Sequence, residues 1–311
     1  MSIAYAVLLA VLTGAHAATW GAFKDSPFEG FKIVSFVRSI VLAVVAAAVL
    51  ATTTDLERTL SPIVLLGVFY AIERLATELW KSFLREDDQD AYTIPMRVAV
   101  LGRPVDGRFP RYVTGLVVLA GVVVLACTAA RLQPTDGGPL WLLVLIGGVG
   151  GWLTAMGGAW KDAPVEGFSG WKFLRSPAVA TAWTMMLLPF TQGWVAMSVA
   201  AAGLSVLSIE TYKTFLTGGR PPGKFDGKPV RPSAGAQRER CRLLHSGVYA
   251  GLSCAAGMAA LFEAGDRLTP SVISLMVLTV VAATMAVVVT LIPTGVTPDA
   301  RRRVVADAVP S

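Results

Sequence analysis

Two stretches of this chain carry the same charged residues at the same spacing. Gly21-Ala22-Phe23-Lys24-Asp25-Ser26-Pro27-Phe28-Glu29-Gly30-Phe31 is followed by Phe36, Arg38 and Ser39. Gly158-Ala159-Trp160-Lys161-Asp162-Ala163-Pro164-Val165-Glu166-Gly167-Phe168 is followed by Phe173, Arg175 and Ser176, at a constant offset of 137 positions. These types suit phosphate chemistry. An arginine fork binds phosphate oxygens in pairs, and a lysine adds a point charge. Lys24, Arg38, Lys161 and Arg175 are therefore candidate ligand-binding residues. Asp25, Glu29, Asp162 and Glu166 are candidate catalytic groups and candidate Mg2+ ligands, because Mg2+ takes one or two carboxylates and lets phosphate complete its shell. A structural reading competes. Ser26 and Glu29 fit a capping box, and Gly30 and Gly167 fit the end of a one-turn interfacial helix. Ala163 replaces the serine while the charges persist, which points to the charges themselves. Lys32 and Lys172 do not align and read as anchors of helix ends.

A second motif is duplicated. Glu78-Leu79-Trp80-Lys81-Ser82-Phe83 and Glu210-Thr211-Tyr212-Lys213-Thr214-Phe215 share one pattern. Glu78 and Glu210 join the candidate catalytic set, and Lys81 and Lys213 the ligand-binding set. Each acid precedes a lysine by three residues, so self-neutralisation is the competing reading. Glu73 and Arg74 lie in the same apolar run and have no counterpart in the second copy; Arg74 and Glu78 have the spacing of an intrahelical pair. A charge at that depth costs at least about 2.5 kcal/mol on insertion scales, so each must face protein or water. The Gly-Arg-Pro turns at 102–104 and 219–221 add Arg103 and Arg220 as candidate phosphate contacts. The run Glu86-Asp87-Asp88-Gln89-Asp90 reads as a solvated loop, and His16 as a hydrogen-bonded interior histidine.

The elements that position these groups follow from composition. The 311 residues are 54% apolar and 15% charged, against about 25% charged in soluble domains. Nine apolar runs are long enough, or nearly so, to span a membrane: roughly 2–22, 33–53, 61–82, 112–131, 139–159, 177–192, 194–214, 243–263 and 269–293. The sixth starts at Ser176-Pro177. The first ends near an Ala-x-Ala pattern but lacks a basic n-region, and its twin is internal, so it reads as a retained helix. The predicted fold is all-α, a tandem parallel 4+4 repeat plus one helix, with domains 1–133, 134–265 and 266–311.

Segments following spans 1, 3, 5 and 7 carry 3, 6, 3 and 8 Lys+Arg and the C-terminal tail 3, against Arg58, Arg131 and Arg267 opposite. The positive-inside rule places the N-terminus outside and the C-terminus in the cytoplasm, in a bacterial-type inner or a plasma membrane. Basic loops facing anionic lipid account for the +6 net charge, without a nucleic-acid partner. Cys127, Cys241 and Cys254 form no metal or disulfide pattern. No P-loop, dinucleotide-binding glycine motif, HExxH or GxSxG occurs in a fitting context. The expected function is a transferase-like enzyme on a phosphorylated lipid or polyprenyl phosphate. A transporter or channel for a small anion is the alternative, and a membrane scaffold a weaker one.

Overall fold

The computed structural model describes residues 3–53, 60–134, 138–216, 223–232 and 234–264. The chain is helical: α1 (Ile3–Glu29), α2 (Ile33–Thr53), α3 (Pro62–Leu79), α4 (Arg108–Leu132), α5 (Leu140–Glu166), α6 (Gly170–Leu187), α7 (Trp194–Phe215) and α8 (Ala234–Ala264). Five of them, α1, α2, α4, α5 and α7, are long and apolar enough to cross a membrane. Span 9, the C-terminal tail and Arg220 lie outside the described residues.

Helix α1 packs against α2, α8 and α3, and α5 against α6 and α7. Helices α3 and α7 meet at the centre, where glycine permits backbone contact: a Cβ on Gly67 would lie 2.5 Å from the Ala200 carbonyl oxygen. The two helical hairpins make the same approach. A Cβ on Gly14 would meet Ser39 O at 2.7 Å and Ile40 Cα at 2.5 Å; one on Gly151 would meet Ser176 O and Pro177 Cα, both at 2.7 Å. Small residues let helix backbones come this close where lipid supplies no hydrophobic drive to associate. The core around α1, α2, α3 and α7 is built from Leu9, Ala10, Leu65, Phe69 and Leu204, all essentially inaccessible.

Three expectations need correction. Helix α6 begins at Gly170 with Ser169 as its cap, not at Pro177, which lies inside it. The proline removes one backbone donor, a loss that packed neighbouring helices accommodate. The Lys-Asp-x-Pro-x-Glu segment is no separate one-turn helix but the end of α1, and likewise of α5. The capping box is not formed, because position 26 lies within α1 and not at a helix start.

Candidate functional site

The two motifs are presented alike. Both helices stop at a glycine in the left-handed region, Gly30 at φ 78° and Gly167 at φ 82°. The amide of each closes the last turn, onto Ser26 O and Ala163 O, at 3.0 Å in both. Phe31 packs on Phe36 with ring centroids 5.5 Å apart, and Phe168 on Phe173 at the same 5.5 Å. Lys32 pairs with Glu29 at 2.6 Å, and Lys172 pairs with Glu166. These two lysines are not aligned in sequence, yet each neutralises the same acid from the start of the next helix.

Beyond this the copies part. The first is covered by the loop leading into α8. Lys224 Nζ lies 2.9 Å from Asp25 and 3.9 Å from Glu29. Arg85 approaches Glu29 at 3.5 Å, and the Tyr92 hydroxyl donates to it at 3.1 Å. Phe28 stacks on Phe225 with centroids 4.4 Å apart, and Arg231 donates to the Pro27 and Phe28 carbonyls. Burial pushes the Lys224 ammonium down to about 8, with Lys24 and Lys81 adding repulsion that Asp25 only partly offsets. Burial likewise raises the Tyr92 phenol, and the Glu29 carboxylate adds to the rise.

The second copy is covered less completely: the same loop reaches Glu166, whose Oε1 a Cβ on Gly223 would overlap, but it leaves the aspartate unpaired. Asp162 makes no ion pair or hydrogen bond among the described residues, and Lys161 reaches only Met96 Sδ, at 3.6 Å. A short hairpin, β1 (Ala99–Val100) with β2 (Arg103–Pro104), rests on the end of α5. Trp160 Nε1 donates to Ala99 O at 2.9 Å, and a Cβ on Gly102 would fall 3.2 Å from Pro164 Cβ. Arg103, on this hairpin, is exposed.

Between the motifs the charges converge. Lys81 pairs with Glu78 at 3.0 Å, and Lys24 and Lys161 lie within electrostatic reach of the same carboxylate. Lys213 lies within reach of Lys24, Asp162 and Arg175. With Lys224, five lysines gather around Asp25, Glu78 and Asp162, while Arg38 lies within reach of Glu78 and Arg175 within reach of Lys213. Arg38 Nε and Arg175 Nε, equivalent atoms of the two copies, are buried without a hydrogen-bond partner. An excess of cations with matched orphan donors is the arrangement that receives an anion.

Deeper in the bundle, Glu210 separates from this cluster. It accepts from the Tyr70 hydroxyl and from Arg74 Nη1, the latter at 3.2 Å. Arg74 Nε binds Glu73 at 2.6 Å, and Thr77 donates to Glu73 at 2.8 Å. The predicted Arg74–Glu78 pair is absent because Glu73 and Glu210 hold the guanidinium across α3 and α7. Glu210 therefore serves Arg74, whereas Glu78 pairs with its own lysine. His16 joins the same network through Tyr70, at 2.9 Å.

The acidic run is also bound. Glu86 reaches fully buried Arg111 at 2.5 Å and Arg97 and Arg108 at 3.3 Å; hydrogen bonding from Arg111 lowers its carboxyl. Asp87 pairs with Arg85. Arg97, Arg108 and Arg111, which hold Glu86, follow it by 11 to 25 residues, which a local reading of the charge run overlooks. Tyr70, Arg85, Tyr92 and His245 were not among the candidates, since only tertiary contact joins them. Among the described residues no group of three or more His, Cys, Asp or Glu side chains is placed to hold a metal ion. No protein-family model, curated protein or solved structure matches this chain.

Proposed function

We propose that this chain is a membrane-embedded, transferase-like enzyme that binds a phosphorylated lipid or polyprenyl phosphate at its basic end. In this reading it is a nine-span parallel 4+4+1 bundle with its N-terminus outside and the basic end cytoplasmic. The matched glycine approaches of Gly14 and Gly151 support the repeat, and the distribution of lysine and arginine supports the sidedness. The observation that carries the functional reading is the pair of orphan Arg38 and Arg175 donors flanking a lysine cluster with excess positive charge. A phosphate monoester supplies close to two negative charges and several acceptor oxygens. Apolar residues exposed beside each arginine, Val34 and Val41 on α2 and Trp171 and Leu174 on α6, offer a path for the lipid chain.

Catalysis would rest on positioning and charge neutralisation, not on a covalent nucleophile. Asp162, a carboxylate with no cation within ion-pair distance among the described residues, is the group to accept a proton from an incoming hydroxyl. Mg2+ arriving with the phosphate would bind at Asp162 and Glu166. Transport of a small anion is the second reading, favoured by the polar network of Tyr70, Arg74 and Glu210 inside the bundle.

The full chain in phosphatidylcholine nanodiscs, titrated with phosphatidic acid and separately with inorganic phosphate, with and without Mg2+, tests this by native mass spectrometry. Saturable retention of phosphatidic acid, lost in the Arg38→Gln/Arg175→Gln double variant, is the expected result. Equal retention of phosphatidylcholine, or an unaffected double variant, overturns the lipid-phosphate reading. Retention of inorganic phosphate alone favours transport.

A further inference from the structure

The helices that carry the two motifs are covered differently along one face. At the offset of 137 positions, His16, Thr19 and Phe23 of α1 answer to Leu153, Met156 and Trp160 of α5. On α1 this face lies under α8. The His16 and His245 rings are 4.4 Å apart, Thr19 Oγ1 is 2.7 Å from His245 Nδ1, and the Arg238 guanidinium sits 4.8 Å from the Phe23 ring centroid. His16, Thr19 and Phe23 are accordingly 0, 1 and 4% exposed, whereas Leu153, Met156 and Trp160 are 50, 55 and 64% exposed.

In the proposed 4+4 arrangement α4 is the counterpart of α8, yet it leaves the α5 face bare. It packs on Trp80–Leu84, where Phe83 fills the space beside Gly115, and lightly on α7, with no comparable packing on α5. At its other end Ala129 joins the cluster of Leu143, Trp194 and Met197, and Gln133 Oε1 accepts from the Trp194 amide at 2.8 Å. Arg111 is the only buried residue of the helix. Helix α4 is thus held at both ends and stands off α5 between them, which leaves a slot.

The residues of the slot select what fills it. His16 and Thr19 are polar and need protein partners inside a membrane, which α8 supplies. Leu153, Met156 and Trp160 need none, because hydrocarbon solvates them, and their bulk opposes the close backbone approach that helix pairs in lipid use. One end of the slot is roofed by the β1–β2 hairpin, which leads directly into α4. Trp160 donates to Ala99 O there, and Gly102 rests on Pro164. The roof carries a cation: Arg103 is exposed, and its side chain makes no ion pair among the described residues. At the hairpin tip Leu101 is 85% exposed with φ 50°, a left-handed conformation that leucine rarely adopts. An indole, an exposed leucine and an unpaired arginine together suit the headgroup layer of a bilayer.

We propose that the slot between α4 and α5 seats one anionic phospholipid, its acyl chains along Leu153 and Met156 and its phosphate on Arg103. The guanidinium fork offers paired donors to the phosphate oxygens. This lipid is distinct from the ligand of the basic end, and its binding does not depend on that ligand.

Native mass spectrometry of the full chain, released from phosphatidylcholine nanodiscs with increasing phosphatidylglycerol, counts the bound lipid. One phosphatidylglycerol should be retained in preference to phosphatidylcholine. Arg103→Gln should weaken that retention about tenfold or more, and the Arg38→Gln/Arg175→Gln protein should keep it. Retention unaffected by Arg103→Gln, lost equally from the double variant, or no better than that of phosphatidylcholine overturns the proposal. A second readout tests the other occupants. Val122 and Leu153 lie at the middles of α4 and α5, and Val122→Cys/Leu153→Cys protein lacking Cys127 and Cys254 is oxidised in liposomes of the same lipids. No disulfide is expected. A disulfide within one chain shows α4 itself closing on α5, and one between chains shows a second copy in the slot; either overturns the proposal.

Discussion

The ends of α1 and α5 carry one motif in two electrostatic conditions. At the end of α1, Asp25 and Glu29 are held by Lys224, Arg85, Lys32 and Tyr92 under a stacked Phe28–Phe225 lid. At the end of α5, Glu166 has Lys172, whereas Asp162 and Lys161 have no ion-pair partner among the described residues. One charged motif thus yields a neutralised aspartate in one copy and an unpaired one in the other, and the difference is set by Lys224 from far along the chain. Neutralised charge stabilises, while open charge remains available for a ligand. On this account the first copy is the structural one and the second the working one, with Arg38 and Arg175 shared between them.

The largest effect is expected from the shared arginines. Hydrogen bonds to charged groups contribute about 1.5–3 kcal/mol each, so Arg38→Gln/Arg175→Gln should weaken phosphatidic acid binding by about 100-fold or more in nanodisc titrations. Asp25→Asn and Asp162→Asn sharpen the contrast. Asp25→Asn leaves Lys224 without its carboxylate and should cost about 1–3 kcal/mol in thermal unfolding. Asp162→Asn should leave stability within about 0.5 kcal/mol while abolishing turnover. Equal destabilisation by the two variants would erase the distinction between the copies.

Packing should be symmetric where the charges are not. Gly14→Ala and Gly151→Ala each drive a methyl into backbone and should each destabilise by about 1–3 kcal/mol. Gly158→Ala, with nothing within 4 Å of the added methyl, should be neutral or stabilising by up to about 1 kcal/mol.

The smallest effect is the pH response of the closed copy. Lys224 loses its proton near pH 8 in the folded chain, against 10.5 when unperturbed. Between these values the unfolded chain holds more protons, so stability rises with pH across that window. Below it, the cost of burying the charged ammonium is fully present. Phosphatidic acid affinity should move oppositely, weakening through about pH 8, and Lys224→Gln should reduce that inflection.

Much of this was legible in the sequence. The apolar runs mark the helices, Gly30 and Gly167 mark helix ends (though of α1 and α5, not of a separate one-turn helix), and the spacing of Glu78 to Lys81 gives their ion pair. These are local signals, set within one or two helical turns. What escaped is long-range. Nothing near Asp25 announces Lys224, 199 positions away in the chain, and nothing near Glu210 announces Arg74. Ser26-x-x-Glu29 misled because the same pattern serves at a helix start and inside a helix, and only the upstream continuation of α1 separates the two. Pro177 misled in the same way. The two histidines show nothing in sequence of their eventual contact, since α1 and α8 pack side by side from opposite ends of the described chain.

The central claim is that the basic end holds a lipid phosphate, and mass spectrometry of lipids co-purifying with the full chain tests it most directly. The account predicts enrichment of a phosphate-monoester lipid or polyprenyl phosphate over its share in the source membrane. It also predicts loss of that lipid from the Arg38→Gln/Arg175→Gln protein. Co-purified lipid in the proportions of the bulk membrane, unchanged by the double variant, would contradict it.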